Sequence, residues 1–420
     1  MQALASLLAY LVFWLALPFL LTHSKLRDGI KARLGFYPAT WPGLSAGRRV
    51  WLHGASAGDV LALIPLIREI KSRRPNVQIV LSTMTNSGRT MAERDRQLVD
   101  AITYVPYDLF GPVHRAMRRI TADVLVLEYA ELWPQLIRAA TARGVDLVLH
   151  NGRLSQARVG SYRRLFFFVG NLLSPFKLLL MRDEQEADTA RRLGASEAQI
   201  RVTGNTKFDG LAHDPPVEKV AELTRLASFP AGSLVWVAGS THEGEEELLL
   251  DAFIGLRRTF PALRLIIAPR YADRAERVMS LATRRNLSVQ LRSKGGPAAD
   301  VWILDTIGEL AACYALGDLV FVGGSFVARG GQNILEPAAC GKPVLFGPNM
   351  QNFADSVQVL VGRGGIQVVS PEQLQKITAE LLSRPEHRAE LGRLAAEQVK
   401  KVRGAAARNA ELILELLDAR

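Results

Sequence analysis

The segment from Phe321 to Glu336 reads FVGGSFVARGGQNILE and gives the strongest indication of the fold. An apolar run ends before the first glycine pair, a glycine-rich loop follows, and a helix is predicted to start near Asn333. Glycines let backbone N–H groups approach a phosphate, and the N-terminus of a helix adds partial positive charge. An ordinary loop between a strand and a helix also needs glycines for its turn. The combination of this loop with Asn333 and Glu336 favours a nucleotide-sugar site, in which Glu336 accepts hydrogen bonds from ribose hydroxyls.

Short apolar runs alternate with helical patterns on both sides of this segment, and they fit buried parallel strands. The predicted strands span residues 50–53, 77–82, 102–106, 123–128, 146–150, 178–181, 234–239, 263–268, 289–291, 301–304, 319–323, 344–347 and 366–369. Two such series predict an α/β fold with two facing, doubly wound parallel sheets that share one ligand cleft. We place the linker near residues 210–233, where Asp214-Pro215-Pro216 interrupts the pattern. The tail from about 384 to 420 predicts one long helix, which can return to the first domain.

The composition is that of a globular protein, with 48% hydrophobic and 22% charged residues among 420. This length suits two domains of about 150–200 residues each. The two cysteines, Cys313 and Cys340, lack metal-type spacing, so we expect reduced thiols in a cytosolic setting. The formal net charge of +11 favours an anionic membrane or an anionic substrate. Because no recognised nucleic-acid-binding motif accompanies the charge, we expect no nucleic-acid partner.

The amino terminus contains an uncharged apolar run from Ala3 to Leu21. Its 19 residues would form a helix of about 28 Å, which matches the hydrocarbon thickness of a bilayer. Lys25, Arg27, Lys31 and Arg33 follow the run and no basic residue precedes it, so the positive-inside rule puts the remaining chain in the cytoplasm. A cleavable signal peptide is disfavoured, because a basic start and a convincing cleavage site are both missing. A helix that lies in the membrane interface stays open beside a spanning one.

Two further segments of the second half directly follow predicted strands. The segment 239–241 reads GST and suits a turn that contacts a sugar or a phosphate. Ser240 and Glu243 also have the S-x-x-E spacing of a capping box, which explains the acidic residues without any ligand, and both interpretations stay open. The segment 269–271 reads PRY, and its Arg270 can pair with a phosphate, stack on a base or form a surface ion pair.

In the first half, the segment 51–59 reads WLHGASAGD and predicts a strand, a turn of small residues and a helix start. Asp59 lies where a carboxylate commonly caps or complements a helix, and the residues alone favour that role. The same turn can instead present the carboxylate to a substrate as a general base. Lys207 would meet an anionic leaving group if it lay in a cleft, although an isolated lysine is more often solvated.

The chain contains no D-x-D sequence, so a divalent metal that bridges a nucleotide diphosphate is not predicted. The P-loop sequence and a strand-linked G-x-G-x-x-G are also missing. We therefore predict no metal and no cofactor.

Taken together, these motifs resemble one family, the bacterial 3-deoxy-D-manno-octulosonic acid (Kdo) transferases of lipid A biosynthesis. The resemblance covers nearly the whole chain, and further matching segments are 131–134 (ELWP), 151–155 (NGRLS), 308–310 (GEL) and 347–353 (GPNMQNF). It implies a GT-B fold, with a membrane anchor over residues 1–24, an acceptor-binding domain over 25–212 and a nucleotide-sugar-binding domain over 213–420. It also implies CMP-Kdo as donor, a lipid A precursor as acceptor, and inversion at the anomeric carbon without metal.

The resemblance assigns site residues as well. The catalytic base of the family falls on Asp59 and its leaving-group lysine on Lys207, and we assign Glu131 to the same catalytic group. The nucleotide contacts of the family fall on Pro269, Arg270, Gly308, Glu309, Leu310, Asn333, Ile334, Leu335 and Glu336. The expected cleft also contains Ser56, Ser240, Thr241, Gly330 and Gly331.

This chain departs from the family pattern at the reacting end. Asp59 is one methylene shorter than the glutamate of the family, a loss in reach of about 1.5 Å against the roughly 3 Å that proton transfer requires. Tyr129 replaces the first glutamate of E-T-E-L-W-P, and the neighbouring Glu128 is expected to point to the opposite face of its strand. Gln332 and Tyr271 replace the histidines of the family motifs GGHN and PRH.

The sequence therefore predicts Kdo transfer from CMP-Kdo to a lipid A precursor on the cytoplasmic face of a bacterial inner membrane. Asp59 would deprotonate the acceptor, while Arg270, Lys207 and the Asn333 helix start stabilise the departing phosphate. A basic and aromatic stretch at residues 163–177 would meet anionic membrane lipid, or would form a core helix flanked by solvated arginines. Two alternatives stay open: a related transferase with another sugar or acceptor, and a pseudoenzyme that binds nucleotide or lipid.

Overall fold

The computed structural model describes residues 28–38, 41, 47–210 and 215–420. The predicted N-terminal membrane helix, residues 3–21, lies outside these ranges. Across the ranges that are described, no helix is both long and apolar enough to cross a bilayer.

Strands and helices alternate along both halves of the chain. The strands are β1 (Arg49–His53), β2 (Gln78–Thr83), β3 (Ala101–Tyr104), β4 (Val124–Glu128), β5 (Asp146–Gly152), β6 (Phe176–Met181), β7 (Ile200–Val202), β8 (Leu234–Thr241), β9 (Leu263–Pro269), β10 (Val289–Leu291), β11 (Val301–Ile303), β12 (Leu319–Val322), β13 (Val344–Phe346) and β14 (Gly365–Gln367). The helices are α1 (Ile30–Arg33), α2 (Ala57–Arg73), α3 (Asn86–Arg94), α4 (Phe110–Ile120), α5 (Pro134–Ala142), α6 (Val159–Val169), α7 (Glu184–Arg192), α8 (Val217–Ala227), α9 (Glu245–Arg257), α10 (Ala275–Thr283), α11 (Leu310–Leu316), α12 (Leu335–Ala339), α13 (Ala354–Leu360), α14 (Pro371–Ser383), α15 (Pro385–Val402) and α16 (Ala405–Asp418).

These elements form two compact units. Unit 1 comprises the described residues up to Gly210 together with Arg403–Arg420. Unit 2 comprises the described residues after Gly210, up to Val402. The sheet of unit 1 has the strand order β3-β2-β1-β4-β5-β6-β7, and the sheet of unit 2 has the order β10-β11-β9-β8-β12-β13-β14. Every pairing in both sheets is parallel. The predicted α/β class with two doubly wound parallel sheets is therefore confirmed.

Helices cover both faces of each sheet, which explains why the strands read as continuous apolar runs. All five residues of β1 are buried. Trp51 faces one core of unit 1, whereas Val50 and Leu52 face the other. The second core is closed by α2 and α16, whose Ile67 and Ile413 are completely buried. Fully burying such side chains contributes about 1.5–3 kcal/mol each, so these two helices anchor the sheet of unit 1.

The predicted strands agree with the observed ones to within two residues at each end. One strand was missed, the edge strand β7. Two of its three residues, Arg201 and Val202, are exposed, so the segment has no apolar run that could mark it in the sequence. Because β7 is at the edge of the sheet and pairs with β6 on one side, its other side can carry polar residues that face solvent.

The single long helix expected from about 384 to 420 is wrong, because the tail forms two helices, α15 and α16. The chain turns between them at Gly404, which adopts a left-handed φ of 83° that favours glycine. The carboxylate of Asp209 caps the second helix, since its two oxygens accept hydrogen bonds from the N–H groups of Gly404 (2.5 Å) and Ala406 (2.7 Å). Arg408 also donates to the carbonyl of Thr203 (2.7 Å). Polar contacts at its start and apolar contacts along its length therefore hold α16 in unit 1.

We predict that Asp209→Ala loosens α16 without unfolding unit 1. Loss of a helix-capping carboxylate costs about 1–2 kcal/mol, which corresponds to amide hydrogen exchange about 5–30-fold faster across residues 405–418. Asp188→Ala is the matched control, because this exposed carboxylate caps no helix in the described part of the chain and pairs with Arg191 at 2.6 Å on the surface of α7. Equal exchange in the two variants would contradict the capping role.

Candidate active site

A cavity of about 510 Å³ opens in unit 2 at the carboxyl ends of β8, β9 and β11. It is lined by Ser240, Ala268, Pro269, Arg270, Tyr271, Ala272, Asp273, Leu304, Thr306, Ile307, Gly308 and Leu310. Five residues of the predicted site are therefore brought together: Ser240, Pro269, Arg270, Gly308 and Leu310. These residues are distant in sequence, but the parallel sheet places the carboxyl ends of β8, β9 and β11 at one edge, so the loops that follow these strands lie together.

Arg270 supplies the positive charge of this cavity. Its backbone N–H donates to the carbonyl of Thr241 at 2.9 Å, which fixes the turn after β9. Its guanidinium lies 5.8 Å from the centre of the Tyr271 ring. Within the described ranges, the Arg270 side chain has no ion-pair partner, so its charge is available to an anionic ligand.

Ser240 has a positive φ of 55°, an uncommon conformation for a residue with a side chain. It lies where the register between β8 and β9 shifts, and this bulge turns it toward the cavity. Its hydroxyl lies close to the buried Tyr314, where it opposes the rise that burial causes in the pKa of that phenol. The interpretation of Ser240 and Glu243 as a capping box is wrong, because α9 begins only at Glu245 and has Gly244 at its N-cap.

Two predicted residues of this region are used inside the protein instead. Thr241 is buried, and its hydroxyl is directed to the carboxylate of Glu246 at 3.4 Å. Glu309 is paired with Arg292 at 2.8 Å and with Lys219 at 2.6 Å. Burial alone would raise the pKa of Glu309, but hydrogen bonds from these cations and from a threonine outweigh it and hold the pKa at about 2. Neither side chain lines the cavity, so we place both in its supporting structure.

The glycine-rich loop after β12 is occupied by a carboxylate of the protein. The Oε2 atom of Glu245 accepts the N–H groups of His242 (3.0 Å) and Gly324 (2.7 Å), and Oε1 accepts those of Ser325 (3.0 Å) and Phe326 (2.9 Å). Successive backbone N–H groups of this kind form an anion-binding concavity. Because Glu245 already accepts these N–H groups, the backbone of residues 324–326 is not available to a phosphate.

The second half of the loop is shaped by packing. Gly330 and Gly331 have left-handed φ values of 82° and 79°, and a Cβ on either would collide with Asn352 or Met350. The Asn333 side chain accepts the N–H of Leu335 at 3.0 Å. The helix predicted near Asn333 thus begins two residues later, as the short α12, with Ile334 at its N-cap.

The Asn333 amide also donates to Glu336 at 3.0 Å. Burial raises the pKa of Glu336. Burial also raises the pKa of Tyr314, which lies near Ser240, and the negative charge of Glu336 raises it further. Glu336 is therefore near enough for its charge to act on Tyr314, which lies on the Ser240 side of the cavity. Ile334 and Leu335, also predicted as nucleotide contacts, are completely buried and do not line the cavity.

In unit 1, Asp59 is a helix cap. Its Oδ2 accepts the N–H of Ser56 at 2.7 Å, and the hydroxyl of Ser56 accepts the N–H of Asp59 at 3.4 Å, which completes a capping box at the start of α2. The carboxylate remains partly exposed. For Oδ1 no hydrogen-bond donor is found in the described part of the chain. One carboxylate can therefore cap the helix and present its other oxygen to a substrate.

Glu131 lies beside Asp59. Burial raises the pKa of Glu131, and the negative charge of Asp59 raises it further, while a hydrogen bond from the indole of Trp133 (2.8 Å) opposes the shift. Nε2 of the buried His53 lies 3.9 Å from Oε2 of Glu131. Burial lowers the pKa of His53 to about 4, so the ring is neutral at neutral pH. This edge thus brings together two predicted catalytic residues, Asp59 and Glu131.

A buried polar network lies beneath these carboxylates. Glu128 is completely buried, and its oxygens contact Nδ1 of His150 at 2.5 Å and accept from the Asn151 amide at 2.8 Å. Burial raises the pKa of Glu128, and the hydrogen bonds from His150 and Asn151 work against that. The next residue, Tyr129, has a φ of 54°, so the strand ends there with a sharp turn. Glu128 therefore points into the protein interior, where His150 and Asn151 hold it.

The same network holds the turn that carries Lys207. Asn151 donates to the hydroxyl of Thr206 at 2.8 Å and accepts the Thr206 N–H at 3.0 Å. That hydroxyl donates to the carbonyl of Ala62 in α2 at 2.6 Å. Lys207 is half-buried, and its N–H donates to Asn205 at 3.0 Å. The turn of Lys207 is thereby tied to the helix that begins beside Asp59.

Some contacts in both units were not predicted. Glu245 is one of three successive glutamates, and the sequence holds no signal for which of them turns inward. Glu128 and His150 are 22 residues apart and meet only because β4 and β5 pair in register. For metals, the described residues contain no group of three histidine, cysteine or acidic side chains that could hold an ion.

The match to known proteins follows the same division of the chain. Residues 28–210 match the family model described as 3-deoxy-D-manno-octulosonic-acid transferase (kdotransferase). The 3-deoxy-D-manno-octulosonic acid transferase of Haemophilus influenzae is 30% identical over 403 residues, with 94% of this chain and 92% of the relative covered. The enzyme of the same name from Chlamydophila psittaci is 32% identical, with 87% and 84% covered.

A solved structure supports the fold. The UDP-GlcNAc 2-epimerase from Neisseria meningitidis bound to UDP-GlcNAc superposes with a TM-score of 0.52 over 89% of this chain and 100% of that chain. At 12% identity this likeness concerns the fold alone. With two doubly wound sheets of this type and the relatives above, the protein is an enzyme of the glycosyltransferase class. The chain belongs to the 3-deoxy-D-manno-octulosonic acid transferase family.

We predict that Glu245→Gln destabilises unit 2, because the amide group would face two of the four backbone N–H donors. Leaving buried donors without acceptors costs about 1–3 kcal/mol each, so we expect a loss of about 2–6 kcal/mol. Scanning calorimetry should then show the melting temperature of unit 2 lowered by roughly 4–24 °C. Glu243→Gln is the control, since this side chain is 81% exposed and lies two residues away. Similar melting temperatures for the two variants would overturn the role of Glu245.

Proposed function

We propose that this protein transfers Kdo from CMP-Kdo to a lipid A precursor in lipopolysaccharide core biosynthesis, with inversion and without a metal. Membership of the family carries the proposal, because a relative that bears the name 3-deoxy-D-manno-octulosonic acid transferase matches 94% of the chain. The cavity of unit 2 supports it, since about 510 Å³ lies within the usual range for small-molecule sites.

The lining of the cavity suits a nucleoside monophosphate. Arg270 offers a delocalised cation that can pair with a phosphate or stack on a base. Tyr271 and Ile307 are 57% and 91% exposed, and such apolar surfaces at the mouth of a cavity can cover a base. Backbone N–H and C=O groups of Gly308 lie at the same edge, where hydrogen bonds can distinguish one base from another.

The proposed reaction is a direct displacement. Asp59 removes the proton from an acceptor hydroxyl, the hydroxyl oxygen attacks the anomeric carbon, and the bond from that carbon to the CMP phosphate breaks. The free Oδ1 of Asp59 is the accepting atom, while Oδ2 stays on the Ser56 N–H. Lys207 compensates the charge of the departing phosphate, and Glu131 with His53 orients the acceptor. The capping bond is an advantage here, because it holds the short side chain of Asp59 in one conformation.

A second candidate is a nucleotide-binding protein without turnover. The engagement of Asp59 in a capping box and the presence of Tyr129 at the E-T-E-L-W-P position favour this alternative. One experiment separates the two: the protein is incubated with CMP-Kdo and a lipid A precursor, and the lipid is analysed by mass spectrometry. A mass increase of one or more Kdo residues supports transfer. CMP binding without any product supports the binding protein.

In this assay we predict that Asp59→Asn lowers the rate at least about 100-fold, because a general base typically contributes 10²–10⁴-fold. Asp59→Glu should retain activity, since it restores the residue of the family. The matched control is Asp183→Asn, which also replaces a helix-capping carboxylate. Oδ1 of Asp183 accepts the N–H of Glu186 at 2.9 Å at the start of α7. A rate for Asp59→Asn within a few-fold of this control would reject Asp59 as the base.

We further propose that the enzyme works on the cytoplasmic face of the bacterial inner membrane, anchored by residues 3–21. The helix α6 supports membrane contact, since none of its residues is buried. Phe167 and Phe168 are 71% and 57% exposed, and Arg163 and Arg164 lie beside them on the exposed side. Exposed aromatic and basic side chains together suit an anionic lipid surface.

One of the predicted flanking cations serves another purpose. Arg33 is buried, donates to the carbonyl of Met84 at 2.6 Å, and lies 4.5 Å from the centre of the Tyr104 ring. Burial lowers the pKa of its guanidinium. We therefore leave Arg33 out of the proposed lipid-binding charges, whereas Lys31 in the same helix is exposed.

For α6 we predict that the double variant Arg163→Glu/Arg164→Glu weakens binding to vesicles of anionic lipid by about 10-fold or more, because each basic side chain near such a surface contributes about 1 kcal/mol. Vesicle sedimentation at two salt concentrations measures this. The control is Arg277→Glu/Arg284→Glu, which reverses two exposed arginines of unit 2, one within α10 and one at its C-cap. If both double variants lose affinity equally, net charge rather than α6 is responsible.

A further inference from the structure

His242 lies between β8 and α9, next to the cavity of unit 2, and none of the roles above uses it. It is only 6% exposed. Its ring meets the ring of Tyr271 edge to face, with centroids 5.8 Å apart. On the other side lies Gly324, whose φ of 66° and missing Cβ make room for the imidazole; a Cβ there would come within 3.4 Å of Nε2. His242 thus joins the turn after β9 to the loop after β12.

The imidazole has unused hydrogen-bonding capacity. The backbone N–H of His242 donates to Glu245 at 3.0 Å, but Nε2 is buried and finds no hydrogen-bond partner in the described ranges. A buried polar nitrogen without a partner costs free energy. Its partner is therefore expected to come from a bound molecule.

The charges around His242 favour an anion. Burial lowers the pKa of His242, the positive charges of Arg329, Arg270 and Arg274 lower it further, and Glu245 opposes them. Arg274 is neutralised by Glu246 at 3.0 Å. For Arg270 and Arg329 the described part of the chain supplies no ion-pair partner.

The carboxylate of Glu245 keeps its negative charge while its oxygens accept four backbone N–H groups, so it offsets one of these cations. One positive charge remains from Arg270 and Arg329 after this offset. Among the described residues, Tyr271 packs against the ring, and the charge of Glu245, which accepts the backbone N–H of His242, acts on it as well. The local balance is positive, and it lies beside a cavity of sufficient size for a nucleotide.

We propose that His242, together with Arg270 and Arg329, forms an oxyanion-binding subsite at the edge of this cavity, with Nε2 of His242 as a hydrogen-bond donor. The ligand class is a phosphate or carboxylate of a nucleotide-activated acidic sugar, an identification that rests on the proposed function. The subsite lies on three loops that leave the carboxyl ends of β8, β9 and β12. It differs from the glycine-rich concavity, which Glu245 fills.

The subsite makes binding depend on pH in a defined direction. A bound anion stabilises the imidazolium, so the pKa of His242 rises on binding from its lowered value in the free protein. The contribution of His242 to affinity is then largest below the free-state pKa and falls as the pH rises through the bound-state pKa. The ratio of wild-type to His242→Gln affinity should therefore increase as the pH falls from about 8 to about 6, the range around the ordinary histidine pKa. Taking the ratio cancels the titration of the phosphate itself.

Calorimetric titration of the full-length protein with CMP and with cytidine tests the subsite. We expect His242→Gln to weaken CMP binding about 10-fold, the usual effect of one hydrogen bond to a charged group, and to leave cytidine binding unchanged. Arg329→Gln should act in the same direction. The control is His387→Gln, an exposed histidine of α15 in the same unit, which should change neither affinity.

The two sources of the anion give different results. Weaker CMP binding identifies the phosphate. Unchanged CMP binding with a KM for CMP-Kdo raised about 10-fold and an unaltered kcat identifies the sugar carboxylate. The proposal is overturned if both quantities stay at wild-type values, if cytidine loses affinity equally, or if the affinity ratio is flat with pH. Because the CMP measurement needs no turnover, it tests the subsite even if no Kdo transfer occurs.

Discussion

Parallel strand pairing is the constraint on which the rest of this structure depends. Every pairing in both sheets is parallel, so each strand must be followed by a crossover that returns the chain to the end of the sheet where the strands begin. All loops that leave the carboxyl ends therefore gather at one edge of each sheet. This brings Ser240, Arg270 and Gly308 to one cavity, although almost 70 residues separate the first from the last. The covered faces of the sheets leave these edges as the places where polar side chains can meet a ligand.

Each edge then needs internal polar contacts, because its loops carry many backbone groups away from water. In unit 2, Glu245 satisfies four N–H groups and joins the loops after β8 and β12. In unit 1, Asn151 joins Glu128 to the turn of Thr206. Both side chains are almost completely buried and so favour one arrangement of the loops. Such preorganisation matters for a transferase, since charges that stabilise a transition state must already be in place.

A carboxylate in the glycine-rich loop also changes where an anionic ligand can be bound. Backbone N–H groups are no longer available at residues 324–326, so side chains must provide the positive charge. Arg270, Arg329 and His242 are the groups that the fold leaves for this purpose. In unit 1 the short side chain of Asp59 is likewise fixed by a capping bond, with Glu131 and His53 beside it. The proposed nucleotide side and the proposed reacting side therefore use the same principle, a rigid loop with one polar atom that has no partner in the described part of the chain.

The sequence by itself determined the α/β class, almost every strand and the position of the site motifs after strands, because apolar runs and glycine-rich turns are local signals. Only the tertiary structure decided which polar residues are internal. Thr241, Glu309 and Glu245 belong to motifs that resemble ligand contacts, yet their partners come from Glu246, Arg292 and the loop after β12. The break at Gly404 likewise depended on Asp209, almost 200 residues earlier in the chain. A pattern records what a residue is, whereas burial and partners depend on residues that are distant in sequence and adjacent only after folding.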